Sequence, residues 1–534
     1  MRLLYLLLLL CITPACAAQQ AEADRADAET DRAAPPARPN IILFLVDDMG
    51  WQDTSVQFGP ERTHWNDHYR TPNMQRLADR GVKFTNAYAS SPVCSPTRCA
   101  ILTGQNPART GITDWVGHGR SGNDELQSPE WTSQGLQPGD GNITLPQVLS
   151  DAGYLTAHIG KAHFGSGPGA DPTNLGFDIN IGGSHVGSPR GQGEQGAYFA
   201  PFPENAHPNM AHFPEGTYIT DALTQEAINV IDRATDEGKP FFINLAHYAV
   251  HTPIAGQGDP RFLGNYPDDL PQVERDYAAM VESMDASLGA VMDHLEERGI
   301  ADNTIIIFFS DNGGLSNHTR ATTDGNEDDV WQRDWHNSPA FSGKGSGYDG
   351  GMRVPMIVAW AGQDVDPLRY FSPARKSIRR PVDAADLYPT ILGTTGIEHT
   401  DLNERCDGVD LRSYWFSPRD RHEFGLFWHY PHQWYNAPQA TQEAGIRPFS
   451  AIRKDEFKLV YFYSPEGGEI EIYNVADDPM EQSNLMEDSP HPAFVQRMAG
   501  LLLDWLERTD AALPIDKATG EPVDISNLLE AAGR

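Results

Sequence analysis

Two acidic pairs along the chain each follow a run of apolar residues. Asp47-Asp48 follows Ile41-Ile42-Leu43-Phe44-Leu45-Val46, and Ser310-Asp311-Asn312-Gly313 follows Ile305-Ile306-Ile307-Phe308-Phe309. Asp47, Asp48, Asp311 and Asn312 together offer hard oxygen ligands with three negative charges, a set that suits Ca²⁺ or Mg²⁺ better than zinc. Taken alone, Asp-Asp after a strand is more often a turn or a helix cap; the matching Asp-Asn at a second strand end favours a metal. Basic residues recur in the same setting: Lys161 and His163 follow Tyr154–Ile159, and His247 and His251 follow Phe241–Leu245. Singly, such lysines are usually solvated and such histidines structural. Cys94-Ser95-Pro96-Thr97-Arg98 runs into Cys99-Ala100-Ile101-Leu102-Thr103-Gly104, which reads as the first turns of a helix. A cysteine there lies near unpaired backbone N–H groups and the positive end of a helix dipole, although a lone cysteine is usually a small buried hydrophobe.

These residues must be positioned by strands and helices, and the chain supplies both in alternation. From residue 40 onward, short apolar runs alternate with helical patterns, the signature of βαβ units and a mostly parallel sheet. The continuous run 41–46 suits a strand buried on both faces. Thr71-Pro72 opens a helix closed by Gly81, and Thr144 to Ala152 repeats the pattern. Apolar residues at 219, 222, 223, 227, 230, 231 and 234 have helical spacing. Further helices are expected over 276–298 and 384–392, with strands over 154–159, 241–245, 304–309 and 354–360. In open α/β sheets ligands bind beyond the carboxyl ends of the strands, where the polar clusters above sit. After about residue 400 the segments 451–453, 457–463 and 469–473 read as a small antiparallel sheet, closed by an amphipathic helix over Pro492–Arg508. Residues 515–534 read as a loose tail. The aromatic and histidine-rich stretch Phe427-Trp428-His429-Tyr430-Pro431-His432-Gln433-Trp434-Tyr435 reads as a loop that either fills core or lines a sugar pocket.

With 534 residues the chain suffices for one large α/β domain, 39–400, and a smaller α+β subdomain, 401–534. A formal charge of −34 argues against nucleic acid and requires any anion site to be a local basic island. Residues 1–18 read as an export signal peptide: Arg2, an apolar core from Leu3 to Ile12, then small residues at Ala15-Cys16-Ala17-Ala18. Thr13-Pro14-Ala15-Cys16 loosely matches a lipoprotein box, so a lipid anchor on Cys16 is the alternative to plain cleavage. Residues 19–38 read as a disordered linker, and no segment reads as long enough to be transmembrane. Cys94, Cys99 and Cys406 do not make a disulfide framework, and a Cys99–Cys406 pairing stays open.

Seven ordered elements resemble the type I, formylglycine-dependent sulfatases of the alkaline-phosphatase-like superfamily. They are Pro39-Asn40 through Asp47-Asp48-Met49-Gly50, Cys94 to Gly104, Gly160-Lys161-Ala162-His163, His251-Thr252-Pro253, Ser310-Asp311-Asn312-Gly313, Gly343-Lys344, and Asp349-Gly350-Gly351-Met352-Arg353-Val354-Pro355. Cys-x-Pro-x-Arg is the spacing read by enzymes that oxidise cysteine to formylglycine. The resemblance implies an alkaline-phosphatase-like α/β fold and a sulfated carbohydrate as substrate. It implies one Ca²⁺ held by Asp47, Asp48, Asp311, Asn312 and the modified Cys94, and maturation by a formylglycine-generating enzyme. The hydrated aldehyde attacks sulfur and expels the alcohol, and its second hydroxyl then lets sulfate leave. Arg98 holds the diol, Lys161 and Lys344 neutralise the sulfuryl group, His163 is the base of the elimination, and His251 with Lys344 is the acid. The two histidine roles are exchangeable on sequence alone. The chain departs from the family at Asp349, where Glu is common, and at Asn337-Ser338-Pro339-Ala340-Phe341, where Asn-x-Pro-Leu-Arg is frequent. Rival readings are a phosphodiester or phosphonate monoester hydrolase of the same superfamily, and a non-catalytic protein that binds sulfated glycans.

Overall fold

The strand β1, Asn40–Val46, is buried at all seven positions because both of its faces and both of its edges are covered. Ile42, Phe44 and Val46 point into one core and Ile41, Leu43 and Leu45 into another, as the period of a strand requires. Its neighbours are β6, Phe241–Ala246, and β7, Thr304–Ser310, both parallel to it. The Asn40 side chain ties all three starts together, donating to Thr304 Oγ1 at 3.2 Å and accepting from the Phe241 N–H at 3.2 Å. In this computed structural model the described residues are 38–119, 121–123, 125–138, 143–316, 336–362, 376–397, 406–412, 425–434, 445–486, 492–526, 528, 529 and 532. The proposed leader, the linker up to residue 37, Cys16, Tyr435 and the boundary at 400 lie outside them.

The remaining strands of the nine-stranded sheet are β2 (Val82–Tyr88), β4 (Leu155–Gly160), β5 (Ile179–Ile181), β8 (Arg353–Trp360), β9 (Ser377–Ile378) and β10 (Val382–Asp383), while β3 (Leu126–Gln127) lies apart. The order is β10-β2-β8-β7-β1-β6-β4-β5, with β9 beside β2. Only β8 runs against its neighbours β2 and β7, so the sheet is mostly parallel, as expected. Helices cover both faces. On one lie α4 (Ile219–Asp236) and α5 (Gln272–Glu297), through residues such as Leu223 and Leu288. On the other lie α2 (Cys94–Thr103), α3 (Leu145–Asp151) and α6 (Leu387–Thr395), through Leu102, Leu149 and Ile391. The first helix, α1 (Pro72–Arg80), has proline in its first turn and ends at Gly81, as its sequence predicts. The helix expected over 276–298 begins earlier, at Gln272, directly after Pro271, which cannot itself be helical interior.

A second sheet, order β11-β12-β13-β14, is antiparallel: Leu426–Tyr430, Phe449–Lys454, Phe457–Phe462 and Glu469–Asn474. Ile452, Leu459 and Ile472 pack under α7, Pro492–Arg508, which occupies the predicted span. Its other face, through Trp428, Ala451 and Val460, packs on Tyr88, Val93 and Met352 of the larger region. Two expectations fail here. The stretch from Phe427 is a strand to Tyr430 instead of a loop, because Phe427, Trp428 and Tyr430 are core: Phe427 stacks on Trp505 at 4.9 Å and Trp428 Nε1 donates to the Ala89 carbonyl at 2.8 Å. The tail is not loose where described: β15, Ile515–Asp516, pairs with β3, and Val523, Leu528 and Ala532 are buried under α7. Cys94, Cys99 and Cys406 are free thiols, so Cys99 and Cys406 are not paired.

A fully buried ion cluster locks the two sheets together. Lys458 Nζ on β13 lies 3.0 Å from Asp349 Oδ1 and 2.7 Å from Glu481 Oε1, and Tyr88 of β2 donates to Asp349 Oδ2 at 2.9 Å. Asp349, the position where the sequence departs from Glu, thus serves as an anchor. The Glu481 carboxyl is pushed up to about 7, chiefly by burial and further by Asp349, against the pull of Lys458. Its folded value lies above the ordinary 4.5, so its contribution to stability is full below 4.5 and is lost as pH rises through about 7. The thermal midpoint of Glu481→Gln relative to wild type is therefore expected to climb between pH 4.5 and 7 and to level off above. A difference that does not vary with pH contradicts this.

Candidate active site

The strand order puts the chemistry in one place. β4, β6, β1 and β7 are consecutive and parallel, and the register pairs Leu45 with Ala246 and Phe309, and Gly160 with Ala246. Residues just past their ends therefore share one edge of the sheet: Lys161, His247, Asp47-Asp48 and Asp311-Asn312. Backbone bonds extend the ladder to fix them, with Lys161 N–H on the Ala246 carbonyl at 2.8 Å and Asp311 N–H on the Val46 carbonyl at 3.1 Å. Only glycine fits at 160, where φ is +100° and a Cβ would lie 2.0 Å from the Ala246 carbonyl oxygen; this close approach delivers Lys161 to the pocket. Asp48 adopts φ 61°, rare outside glycine, with its N–H donating to Asp311 Oδ1 at 3.2 Å.

The nucleophile position comes from the facing helix. Cys94 opens α2 after Val93, an N-cap with no side-chain hydrogen bond, and Arg98 follows one turn later on the same face. All ten residues of α2 are buried. Arg98 Nε donates to Asp311 Oδ2 at 2.7 Å and its Nη1 to the Lys161 carbonyl at 2.6 Å, while Nη2 lies 3.7 Å from Asp47 Oδ1. Lys161 Nζ bonds both oxygens of Asp47, at 2.8 and 2.7 Å. Lys344 Nζ donates to Asp48 Oδ2 at 2.8 Å and to Cys94 Sγ at 3.3 Å. His251 Nε2 stands 3.7 Å from Asp48 Oδ2, and Nδ1 is 2.7 Å from the Thr252 carbonyl oxygen. Tyr198, which no sequence signal singled out, donates to the His251 carbonyl at 2.6 Å and so fixes that turn.

Three carboxylates buried together need compensating charge. Burial, with Asp311 and Asp48 adding to it, pushes the Asp47 carboxyl well above its ordinary range despite Lys161. Burial acts on Asp48 too, but Lys344, His251 and Lys161 hold it below the usual carboxylate range. Asp311 is likewise held down, by Arg98 and Lys161 against burial. His163, at φ 56° with Nε2 on the Val116 carbonyl oxygen at 3.1 Å, is driven well below its ordinary value by burial and by Lys161. It is therefore uncharged at neutral pH, and its Nδ1 is buried without a hydrogen-bond partner. His247 is buried against Phe44 and bonded to Ser287 at 3.0 Å, a structural role.

The pocket fits a divalent cation. The Asn312 amide donates from Nδ2 to Asp48 Oδ1 at 2.8 Å, while its Oδ1 is buried and has no hydrogen-bond partner. An orphaned carbonyl oxygen beside three carboxylates is the donor set of a hard cation. Ligand atoms of Asp47, Asp48, Cys94 and His251 all lie within 4.8 Å of one another. Sequence reasoning placed His251 as an acid only; the geometry adds it to the rim of this cluster.

The chain belongs to the sulfatase family. The Sulfatase family model matches residues 39–397, a span holding every residue of this site, and a second model, "N-sulphoglucosamine sulphohydrolase, C-terminal", matches 340–507. The chain is 32% identical over 394 residues to the N-acetylgalactosamine-6-sulfatase of Sus scrofa; the match spans 70% of this chain and 66%, just under two thirds, of that relative. It is 28% identical to a sulfatase of Formosa agariphila, over 89% of this chain and 90% of that one. The crystal structure of Ps i-CgsB in complex with k-i-k-neocarrahexaose superposes with a TM-score of 0.66 at 25% identity, covering 93% of this chain and 98% of that one.

Replacing Arg98 with Met removes the cation between Asp47 and Asp311 and leaves buried charge unpaired. The expected cost is about 3–5 kcal/mol of stability in metal-free protein, read by denaturant unfolding. A cost under about 1 kcal/mol would mean that Asp311 is not held as a carboxylate.

Proposed function

We propose that this chain hydrolyses sulfate esters on a carbohydrate, using a formylglycine made from Cys94 and one calcium ion. The observation that carries the reading is the Lys344 amine, which bridges Asp48 and Cys94 Sγ at the start of a buried helix. It ties the nucleophile position to the carboxylates that would hold the ion. Asp47, Asp48, Asp311 and Asn312, with position 94, are the residues to hold calcium, which would supply positive charge at a sulfate oxygen and at the attacking hydroxyl.

The other residues follow from charge and reach. In the ion-free protein Arg98, Lys161 and Lys344 balance the three carboxylates. A bound divalent ion leaves the pocket in positive excess, the local basic island that a chain of charge −34 needs to attract sulfate. Arg98, bonded to Asp311 and the Lys161 carbonyl, is rigid enough to hold the position-94 hydroxyls. Lys161 and Lys344 are placed to neutralise the transferring sulfuryl group. Uncharged His163 is the base for sulfate release, and His251, partly exposed at 16%, is the acid that reaches the leaving alcohol. That the relatives include an N-acetylgalactosamine-6-sulfatase and a structure holding k-i-k-neocarrahexaose supports a sulfated sugar as substrate. Residues 1–18 are read as the export leader of this enzyme; among the described residues no helix is long and apolar enough to cross a membrane.

The test is release of sulfate and phosphate from sulfated sugars, 4-nitrophenyl sulfate and aryl phosphodiesters, using protein co-expressed with a formylglycine-generating enzyme. Sulfate release by wild type, lost by at least roughly 10³-fold in Cys94→Ala, is the expected result. Phosphate release without sulfate release, with the aldehyde confirmed by mass spectrometry, assigns the chain to phosphodiester chemistry instead.

A further inference from the structure

Before any modification of residue 94, the pocket holds donors that differ in kind from the oxygen set of a hard cation. Ligand atoms of Cys94, His251, Asp47 and Asp48 lie within 4.8 Å of one another: one sulfur, one imidazole nitrogen and two carboxylate oxygens. Calcium takes about six to eight oxygens and gains little from sulfur or nitrogen. Zinc takes about four ligands of these very types, in a tetrahedron. With bonds of about 2.0–2.3 Å, the atoms around a zinc ion stand roughly 3.3–3.6 Å apart, so small side-chain movements close this group on one ion.

Two further observations prepare the site. His251 Nδ1 is 2.7 Å from the Thr252 carbonyl oxygen, which can only accept, so Nδ1 carries the ring proton. In the neutral ring the lone pair is then on Nε2, the atom that faces Asp48 Oδ2 at 3.7 Å. Metal-bound imidazoles are oriented in this way, with the far N–H held by a carbonyl. The Tyr198 hydroxyl, donating to the His251 carbonyl at 2.6 Å, holds the turn. The second observation is a cation already in place: the Lys344 ammonium bridges Asp48 Oδ2 at 2.8 Å and Cys94 Sγ at 3.3 Å. It sits on a flexible four-carbon stem, so it can yield that place to a metal ion. Asp47 keeps Lys161 Nζ at 2.8 and 2.7 Å, and each of its oxygens has a second lone pair to offer.

We propose that, while residue 94 is still a cysteine, this pocket is a zinc site with Cys94 Sγ, His251 Nε2 and the carboxylates of Asp48 and Asp47 as ligands. The Zn–S bond forms as the Cys94 thiol gives up its proton to solvent. Cys94 is 2% exposed, so a chain that folds unmodified keeps its sulfur shielded from any large catalyst, and the zinc form is the fate of that fraction. Replacing the sulfur by oxygen removes the soft ligand and leaves the oxygen set that suits calcium. The inference goes beyond the sulfatase reading: it needs only a thiol at position 94 and holds whatever ester the matured protein cleaves.

The test uses protein made without a formylglycine-generating enzyme, its Cys94 thiol confirmed by mass spectrometry, stripped of metal and titrated with zinc and with calcium. Cobalt(II), which accepts the same ligands, reports a bound thiolate through its sulfur-to-cobalt charge-transfer band. Cys94→Ser and His251→Ala are run beside wild type, with Cys406→Ser as the control for a partly exposed free thiol. Thermal midpoints show which variants are folded, and the cobalt band of wild type reports on the thiolate without any variant. The expected result is one zinc per chain, bound at least roughly 10³-fold more tightly than calcium. Zinc affinity is expected to fall at least roughly 100-fold in Cys94→Ser and about tenfold or more in His251→Ala, with no change in Cys406→Ser. The charge-transfer band should vanish in Cys94→Ser and persist in Cys406→Ser. Zinc affinity unaltered in either ligand variant, a cobalt complex without the band, a band lost in Cys406→Ser, or calcium bound as tightly as zinc overturns the proposal. None of these readouts involves sulfate release, so failure of the sulfatase reading is scored separately.

Discussion

Asp47, Asp48 and Asp311 project from the ends of two adjacent parallel strands into a single buried space, and their mutual repulsion there is the constraint on which the rest of the structure depends. Carboxylates removed from water survive only with cations or donors at contact distance. Arg98 comes from a helix, Lys161 from the end of β4, and Lys344 from the segment before β8. Each of these elements must be in register to within an ångström or so, or a charge is left unpaired. The parallel order of β4, β6, β1 and β7 and the burial of α2 are what deliver that precision.

A second buried ion cluster, Lys458 with Asp349 and Glu481, shows by contrast what a purely structural arrangement looks like. There the charged groups satisfy one another and a tyrosine hydroxyl, joining the two sheets. At the strand ends, satisfaction is incomplete: Asn312 Oδ1 and Arg98 Nη2 are buried without hydrogen-bond partners. Unmet polar groups gathered around a cysteine at a helix start mark a pocket shaped for something not supplied by the chain itself.

Much of this was legible in the sequence because local signals and global fold agree. The apolar run 41–46, the helix starts at Thr71-Pro72 and Thr144, and the 3.6-residue period of 219–234 all rest on short-range physics that the tertiary structure leaves intact. The candidate site residues follow from motif order, and the geometry gathers them at one sheet edge. Other features had no local signal. Phe427–Tyr430 reads as an aromatic loop until α7 on one side and Tyr88, Val93 and Met352 on the other are known to cover its two faces. The docking of the tail depends on a two-residue strand with a partner almost four hundred residues away. The contact of His432 Nε2 with Thr113 Oγ1 joins segments separated by more than three hundred residues, and no spacing rule links them. His251 joins the candidate ligand group through the turn that Tyr198 holds.

The central claim is that the buried carboxylates and Asn312 are a cation site. Calorimetric titration of calcium into metal-stripped protein tests it most directly, with Asn312→Ala beside wild type. The account predicts one calcium ion per chain for wild type, a raised thermal midpoint on binding, and affinity weakened at least roughly tenfold in the variant. No binding heat and no stabilisation by calcium, or identical affinity in Asn312→Ala, would contradict it.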